Sequence, residues 1–110
     1  PDLITFSTDG HAGLDRKDAS GQVVGTRPAP IAANLQAFQS LVREGSVKPD
    51  VALKPVTSSP ARNLRLSHKG RIEVGADADF CLFDSEWNLG AVMARGSWNY
   101  QNQIICAFAL

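Results

Sequence analysis

The stretch KGRIEVGADADFCLFD, residues 69–84, decides how this sequence is organised. Gly70 and Gly75 are typical of turns, and two short runs rich in apolar and β-branched residues stand beside them. The same pattern continues to the end of the chain, broken by Gly, Asp-Ser and Asn-Gln turns. The sequence therefore predicts four short strands: RIEVG (71–75), DFCLFD (79–84), LGAVMARG (89–96) and QIICAFAL (103–110).

A helix is predicted well upstream of this stretch, from Pro30 to Gly45. Proline suits the first turn of a helix, and glycine is a common stop. Apolar side chains at three- and four-residue spacing predict one buried face. These side chains are Ile31, Leu35, Phe38, Leu41 and Val42.

Two shorter helices are predicted between that helix and residue 69. The first begins near Pro49 and covers residues 51–53, and Pro55 limits it because proline lacks an N–H donor. The second has Ser58 or Ser59 as its N-cap and ends by Gly70. Capping accounts for these serines better than nucleophilic catalysis, because no G-x-S-x-G elbow surrounds them.

The N-terminal part predicts a strand and a long loop. Leu3 to Ser7 is almost continuously apolar, as in a buried strand. Residues 10–30 are rich in turn formers and predict a loop, with a possible small hairpin around Ser20-Gly21. Asp9 therefore stands at the carboxyl end of a strand, next to a glycine.

Asp9 and His11 are candidate functional residues. Together they could bind a metal, or the carboxylate could orient the imidazole as a general base. The alternative for Asp9, and the one that the local sequence favours, is a structural role in an Asx-turn or a helix cap. The local residues leave these alternatives open.

Composition limits the other possibilities. The chain has 110 residues, one domain's length at most, and 44% of them are hydrophobic. Eleven basic and eleven acidic residues cancel, so charge gives no reason to expect nucleic acid or a membrane as partner. The first residues, PDLITFSTDG, include no initiator Met and show no export signal, so we expect a piece of a longer cytoplasmic protein. Processing of the N-terminus is the alternative explanation for the missing Met.

The remaining reactive side chains favour structural roles. Cys81 and Cys106 lie in strand-like stretches and are expected to be buried free thiols, with a disulfide or a metal pair as the less favoured alternatives. His68 is expected on the surface at a helix end. The glycines at 70, 75, 90 and 96 match no phosphate-binding loop and are expected in turns.

Three of these stretches together resemble the amidohydrolase superfamily. KGRIEVGADADFCLFD is similar to the K-G-x-I-x-x-G-x-D-A-D segment that leads into a strand of that superfamily's small β-domain. ALKPVTSSPARNLRL (52–66) resembles the preceding helical segment, most closely that of isoaspartyl dipeptidases. FSTDG (6–10) looks like the end of the eighth barrel strand. The order and spacing of the three stretches cover nearly the whole chain.

The resemblance implies an α/β fold, the C-terminal fragment of a (β/α)8 TIM-barrel metallohydrolase. Residues 1–68 would supply the last barrel strand, its loop and its helices, and residues 69–110 part of the small β-sandwich domain. The parent enzyme would hydrolyse the isopeptide bond of β-aspartyl dipeptides with one or two divalent metals, usually zinc. It would be a cytoplasmic homo-oligomer acting on a small-molecule substrate.

By the same resemblance, Asp9 would bind the more buried metal and shuttle a proton from water to the leaving amine. The family's dipeptidases have Asn-Gly-Ser where this chain has His11, Ala12 and Gly13, so the serine that helps bind the substrate carboxylate is replaced by Gly13. His11 could contact the substrate instead. The other metal ligands of the family would all precede residue 1, so this chain alone is expected to be inactive.

The replacement of Asn-Gly-Ser by His11, Ala12 and Gly13 leaves other interpretations open. Within the superfamily they are dihydroorotase- or hydantoinase-like cyclic amidases and acyl-amino-acid deacylases. Outside enzymes, the chain could be a non-catalytic module that completes another subunit, or a remnant of a gene. The isolated chain is expected to aggregate or to stay molten, because a barrel strand and an apolar helix face would lack neighbours.

Overall fold

A computed structural model of the chain describes residues 2–10 and 13–101. In these ranges a β-hairpin is followed by short helices and then by an antiparallel sheet. The strands are β1 (Gly13–Lys17), β2 (Val23–Pro28), β3 (Phe80–Phe83), β4 (Leu89–Ala94) and β5 (Ser97–Gln101). The helices are α1 (Ala33–Arg43), α2 (Pro49–Leu53), a 3-10 turn (Lys54–Val56) and α3 (Ser58–Asn63).

The predicted strand at Leu3–Ser7 is wrong for this chain. Residues 4–9 are irregular, and Leu3 is 94% exposed. A strand exists only where a neighbour supplies hydrogen bonds, and none of the described residues forms a ladder with this segment. An apolar run alone therefore did not make a strand here.

Residues 13–28 form a regular hairpin where a long loop was predicted. β1 pairs antiparallel with β2, with Leu14 opposite Arg27. Asp18 organises the connection, because its Oδ1 accepts from the N–H groups of Ser20 (2.9 Å) and Gln22 (3.0 Å). The suggested turn around Ser20-Gly21 is confirmed, and both strands on its two sides are largely exposed.

Helix α1 confirms the predicted helix but begins later than the sequence suggested. Pro30 lies outside it, with its carbonyl accepting from Ala33 N–H at 3.2 Å. Ile31 was expected on the buried face but is 83% exposed, because it precedes the first helical residue. Gly45, with φ of 69°, follows the helix in the left-handed region and confirms the predicted stop.

The hydrophobic core lies between α1, α2 and the turn that joins β3 to β4. Phe38 is 2% exposed and is buried together with Val42 and Ala52. The ring of Phe38 contacts Phe83 at a centroid distance of 5.4 Å and Trp87, edge on, at 5.7 Å. This aromatic cluster packs residues from both sides of the predicted boundary at 68/69 into one core. The boundary itself stays a prediction.

Side chains on α1 also bond the β3–β4 turn directly. Gln39 Nε2 donates to the carbonyl of Trp87 at 2.9 Å. Arg43 donates to the carbonyls of Glu86 (3.1 Å) and Trp87 (3.3 Å) and to Oδ1 of Asn88 (2.8 Å). These bonds orient the small sheet on the helix.

The helix after Pro55 differs in its cap from the prediction. The residue before α3 is Thr57, and its hydroxyl donates back to the carbonyl of Leu53 at 2.7 Å. No side chain caps the N-terminus of α3, so the predicted capping role of Ser58 or Ser59 is wrong; Ser59 is buried instead. The helix ends at Asn63, well before Gly70, the predicted end.

Three strands form the second sheet in the order β3-β4-β5, all antiparallel. RIEVG (71–75) is not a strand, and Gly90 lies inside β4 rather than in a turn. The predictions missed β5 (Ser97–Gln101), although Trp98 and Tyr100 alternate as strand residues do. The predicted strand at 103–110 lies outside the described residues.

Cys81 is a free thiol and, contrary to the prediction, an exposed residue. It is the exposed residue of β3, and the other three residues of that strand are half-buried. Partial burial still raises the pKa of this thiol above its ordinary value. Cys106 lies outside the described residues. In the described ranges, no helix combines the length and apolar character needed to cross a membrane.

Candidate functional site

The segment that carries Asp9 is anchored through Phe6. Its N–H donates to the carbonyl of Pro55 in the 3-10 turn at 3.1 Å, and its carbonyl accepts from Asn34 Nδ2 in α1 at 3.3 Å. Both backbone polar groups of Phe6 are therefore satisfied by the helical part of the chain. This is how an irregular segment obtains a fixed position three residues before the candidate acid.

Asp9 has a left-handed backbone, with φ of 46°. Its N–H donates to Ser7 Oγ at 3.3 Å, and the residue is exposed. Aspartate tolerates this conformation better than most residues, and such conformations occur at turns and at functional sites. The predicted Asx-turn or helix cap has no counterpart here, since no described group is bonded to the carboxylate of Asp9. The side chain is open to a ligand.

Gly10 follows Asp9 at a point of close approach. A Cβ at this position would lie 3.0 Å from Cγ2 of Ile31. Such a contact is tighter than most, so with a larger residue the exposed Ile31 side chain would have to shift by a few tenths of an ångström. Glycine at this position avoids that shift.

The other two candidate substrate residues lie next to this turn. His11 lies outside the described residues, so its predicted contact with the substrate stays a prediction. Gly13 is the first residue of β1, opposite Pro28, and its open face adjoins Thr26. It offers no hydroxyl, as the sequence already indicated.

A metal centre requires about three protein ligands. Within 2–10 and 13–101, no three His, Cys, Asp or Glu side chains lie close enough together to hold an ion. The described residues therefore do not form a metal site by themselves. Asp9 fits one position of such a site, since an exposed carboxylate without a partner among residues 2–10 and 13–101 is a suitable ligand for a divalent cation.

His68 is exposed, as predicted, but it follows α3 rather than ending it. Its carbonyl accepts from Asp77 N–H at 2.9 Å. That bond holds the residue just before the 69–84 stretch against Asp77, in the middle of the stretch. The contribution of His68 here comes from its backbone carbonyl and not from its imidazole.

Lys69 is the residue whose role the sequence did not reveal. Its Nζ lies 2.9 Å from Asp77 Oδ2 and 2.6 Å from Asp79 Oδ2. The hydrogen bonds that Lys69 donates to Asp79 and Asp77 raise its pKa, and the bond from Lys69 lowers the pKa of Asp79. The lysine and the paired acids of the motif are thus a structural clasp. A lysine followed by D-x-D is the signal that could have revealed it.

Gly70 has a positive φ of 78° and lies against α3. A Cβ there would be 2.7 Å from Cβ of Ala61 and 2.8 Å from the carbonyl oxygen of Thr57. Asp84, at the other end of the motif, accepts from the N–H groups of Glu86 (2.9 Å) and Asn88 (2.8 Å). Gly70 and Asp84 therefore maintain turns at the two ends of the motif.

Comparison with known proteins adds to this geometry. Residues 2–106 match the sequence profile of the Amidohydrolase family. The chain is similar in structure to the β-aspartyl dipeptidase of Fervidobacterium islandicum AW-1, solved in complex with a β-Asp-Leu dipeptide. The TM-score is 0.78 and the identity 28%, over 98% of this chain and 28% of that one.

A second similar structure is the N-acetylglucosamine-6-phosphate deacetylase of Pasteurella multocida. Here the TM-score is 0.57 and the identity 24%, over 88% of this chain and 26% of that one. This likeness concerns the fold alone. In both comparisons the chain spans little more than a quarter of the length of the solved protein.

Proposed function

This chain belongs to the amidohydrolase family, and we propose that it is the C-terminal part of a metal-dependent enzyme that hydrolyses the isopeptide bond of β-aspartyl dipeptides. The observation that carries the proposal is the likeness to a β-aspartyl dipeptidase over 98% of the chain. The FSTDG, ALKPVTSSPARNLRL and KGRIEVGADADFCLFD stretches support it independently.

In this proposal residues 1–68 supply the last strand of a (β/α)8 barrel with its loop and helices, and residues 69–110 supply part of a small β-domain. The irregular 4–9 segment becomes a strand once neighbouring strands pair with it, because its backbone groups need partners. The exposure of Leu3 and Ile4 supports this, since a barrel strand would bury them.

Asp9 is the residue that we propose carries the chemistry from this chain. Its carboxylate is one ligand of a divalent metal, zinc in the first instance, with the other ligands supplied by parts of the protein outside this chain. A metal held there would lower the pKa of water and so supply the nucleophile for the amide carbon. The Asp9 carboxylate would accept the proton that this water loses and give it to the leaving amine, so that the amine departs neutral.

The hairpin of β1 and β2 follows Asp9 directly and is the natural source of substrate contacts. Gly13 leaves the dipeptide's carboxylate without the serine hydroxyl found in related dipeptidases, and His11 is the residue that we propose contacts it instead. The protein as a whole is proposed to be a cytoplasmic homo-oligomer acting on a small molecule.

The test is hydrolysis of β-Asp-Leu by the intact protein, with α-Asp-Leu as the matched substrate. We expect turnover of the β-linked dipeptide only, inhibition by a zinc chelator and recovery on adding zinc. Asp9→Asn should lower kcat by roughly 10²–10⁴-fold, the usual contribution of a general acid–base group. Asp50→Asn, which removes an exposed carboxylate in α2, is the control.

Three other outcomes of this test would change the proposed activity or the proposed role of Asp9. Turnover of a cyclic amide or an acylated amino acid instead of β-Asp-Leu would place the protein elsewhere in the same family. Full activity of the Asp9→Asn protein would contradict the proposed role of Asp9. Absence of any hydrolysis by the zinc-loaded intact protein would favour a non-catalytic module.

A further inference from the structure

A groove of about 500 Å³ lies between α3 and the loop that follows it. Its lining contains four cationic side chains within ten residues of sequence, and serine hydroxyls stand beside them. The lining residues that matter here are Arg62, Arg65, Lys69, Arg71, Ser58 and Ser67. None of the acids that pair with these cations lines the groove.

The groove has a defined shape because the loop is held on the helix. Leu66 N–H donates to the carbonyl of Ala61 at 2.7 Å, and Arg65 N–H donates to that of Arg62 at 3.0 Å. This is the Schellman pattern that ends a helix. Gly70 closes the other end of the loop against α3, where a Cβ would collide with the backbone.

Two of the four positive charges are neutralised outside the groove. Lys69 pairs with Asp77 and Asp79, and Arg71 pairs with Glu73. The other two form no ion pair among the described residues. Arg62 donates to the backbone carbonyl of Asp2, and its charge helps to lower the pKa of the Asp2 carboxyl, which pairs with Lys54. Arg65 forms no side-chain hydrogen bond within the described part of the chain.

Arg65 occupies a position that favours glycine. It is the first residue beyond the helix cap and has φ of 56°. A left-handed backbone is unfavourable by roughly 1–2 kcal/mol for a residue with a Cβ, and glycine avoids that penalty. Arg65 is therefore less favourable for the stability of the fold than glycine would be at this position. Arg65 is also one of the residues that line the groove.

We propose that this groove binds a phosphate group, held by Arg62 and Arg65. Guanidinium groups present paired N–H donors that match the oxygens of phosphate, and two arginines without ion pairs of their own suit its dianion. The serine hydroxyls supply further donors. The group is either inorganic phosphate or the phosphate of a small organic ester. This proposal concerns a site other than Asp9 and does not depend on the proposed hydrolase activity.

Arg65→Gly tests the proposal without harming the fold. It removes the guanidinium and relieves the left-handed backbone, so the melting temperature should be maintained or raised. Arg95→Gly is the matched control, because Arg95 also has a left-handed backbone, with φ of 49°, and does not line the groove. Each variant removes one positive charge. Arg62→Gln provides a second change inside the groove.

Binding is measured on the intact protein by calorimetric titration with inorganic phosphate and then with glycerol 3-phosphate, at an ionic strength held constant with chloride. We expect saturable binding to the parent and to Arg95→Gly, and at least tenfold weaker binding to Arg65→Gly and Arg62→Gln. Tighter binding of the ester identifies an organic phosphate as the occupant, and the reverse order identifies the free ion.

Two results would overturn the proposal. One is the absence of saturable phosphate binding to the parent. The other is an equal loss of affinity in Arg65→Gly and Arg95→Gly, since that would show that phosphate responds to the net charge of the protein rather than to this groove.

Discussion

Lys69 joins Asp79 at 2.6 Å, and the second oxygen of the same carboxylate accepts from the N–H of Arg95 at 2.8 Å. One aspartate thus connects the loop after α3 with the turn between β4 and β5. Gly96 N–H adds a bond to the carbonyl of Ala78 at 3.0 Å. The Lys69–Asp79 ion pair and these hydrogen bonds therefore attach the small sheet to the loop.

Removing the lysine of this clasp should destabilise the small sheet. We expect Lys69→Gln to lower the melting temperature, because Asp77 and Asp79 are left close together without a shared cation. Lys48→Gln is the control, since Lys48 is exposed and forms no ion pair with the described residues. Thermal unfolding followed by tryptophan fluorescence gives the comparison. Equal melting temperatures for the two variants would contradict a stabilising clasp.

Stability should fall at acid pH in a defined window. The bond with Lys69 lowers the pKa of Asp79, and bonds with Asn88 and with Ser20 lower the pKa of Asp84 and Asp18 respectively. A carboxyl with a lowered folded-state pKa stabilises the protein above its unfolded pKa and stops doing so as pH falls through the folded value. We therefore expect constant stability from neutral pH to about pH 4 and a decline below it.

The pH dependence is measured as the urea midpoint against pH. Asp79→Asn should have a shallower acid decline than the parent. At high pH the sign reverses for Lys69, whose pKa is raised: its contribution is present below about pH 10.4 and is lost as pH rises through the raised value. A parent midpoint that rises on acidification would refute this account.

The aromatic contact between α1 and the β3–β4 turn should dominate stability. Phe38→Ala removes a ring that is 2% exposed and in contact with Phe83 and Trp87. We expect a loss of about 3–5 kcal/mol in the free energy of unfolding, the usual result of emptying such a site. Ile31→Ala, at an exposed position, should change it by about 0.5 kcal/mol or less. Urea unfolding measures both, and similar losses would disprove a core at Phe38.

A pair of glycine substitutions separates steric contact from backbone strain. Gly70 and Gly21 both have positive φ, but a Cβ at Gly70 would meet Ala61 and Thr57, whereas nothing lies within 4 Å at Gly21. We expect Gly21→Ala to destabilise by about 1 kcal/mol and Gly70→Ala by roughly 1–3 kcal/mol more. The difference in denaturant midpoint measures the contact. A difference near zero would mean that the loop moves away from α3 without penalty.

The helices were predicted well because their signals, which are apolar spacing, proline and glycine, lie within the helix or next to it in the sequence. The spacing of Phe38, Leu41 and Val42 and the stop at Gly45 predicted α1, and Pro49 predicted α2. Boundaries were less predictable: Ile31 fits the helical spacing, but the helix begins only at Ala33. The turn at Asp18–Gln22 was partly predicted, while the strands of its hairpin were not, because β1 is mostly charged and β2 contains Gly25 and ends in Pro28.

The sequence by itself determined the family, the positions of most helices and turns, and Asp9 as the acid to examine. Each of these depends on residue type and spacing along the chain. Only the tertiary structure decided three further features, which residue spacing does not encode. Leu3–Ser7 stays irregular without a neighbouring strand, Lys69 pairs with two aspartates, and α1 packs on the β3–β4 turn. Strand pairing and burial are relations between distant segments, so their energies depend on which partner the folded chain brings into contact.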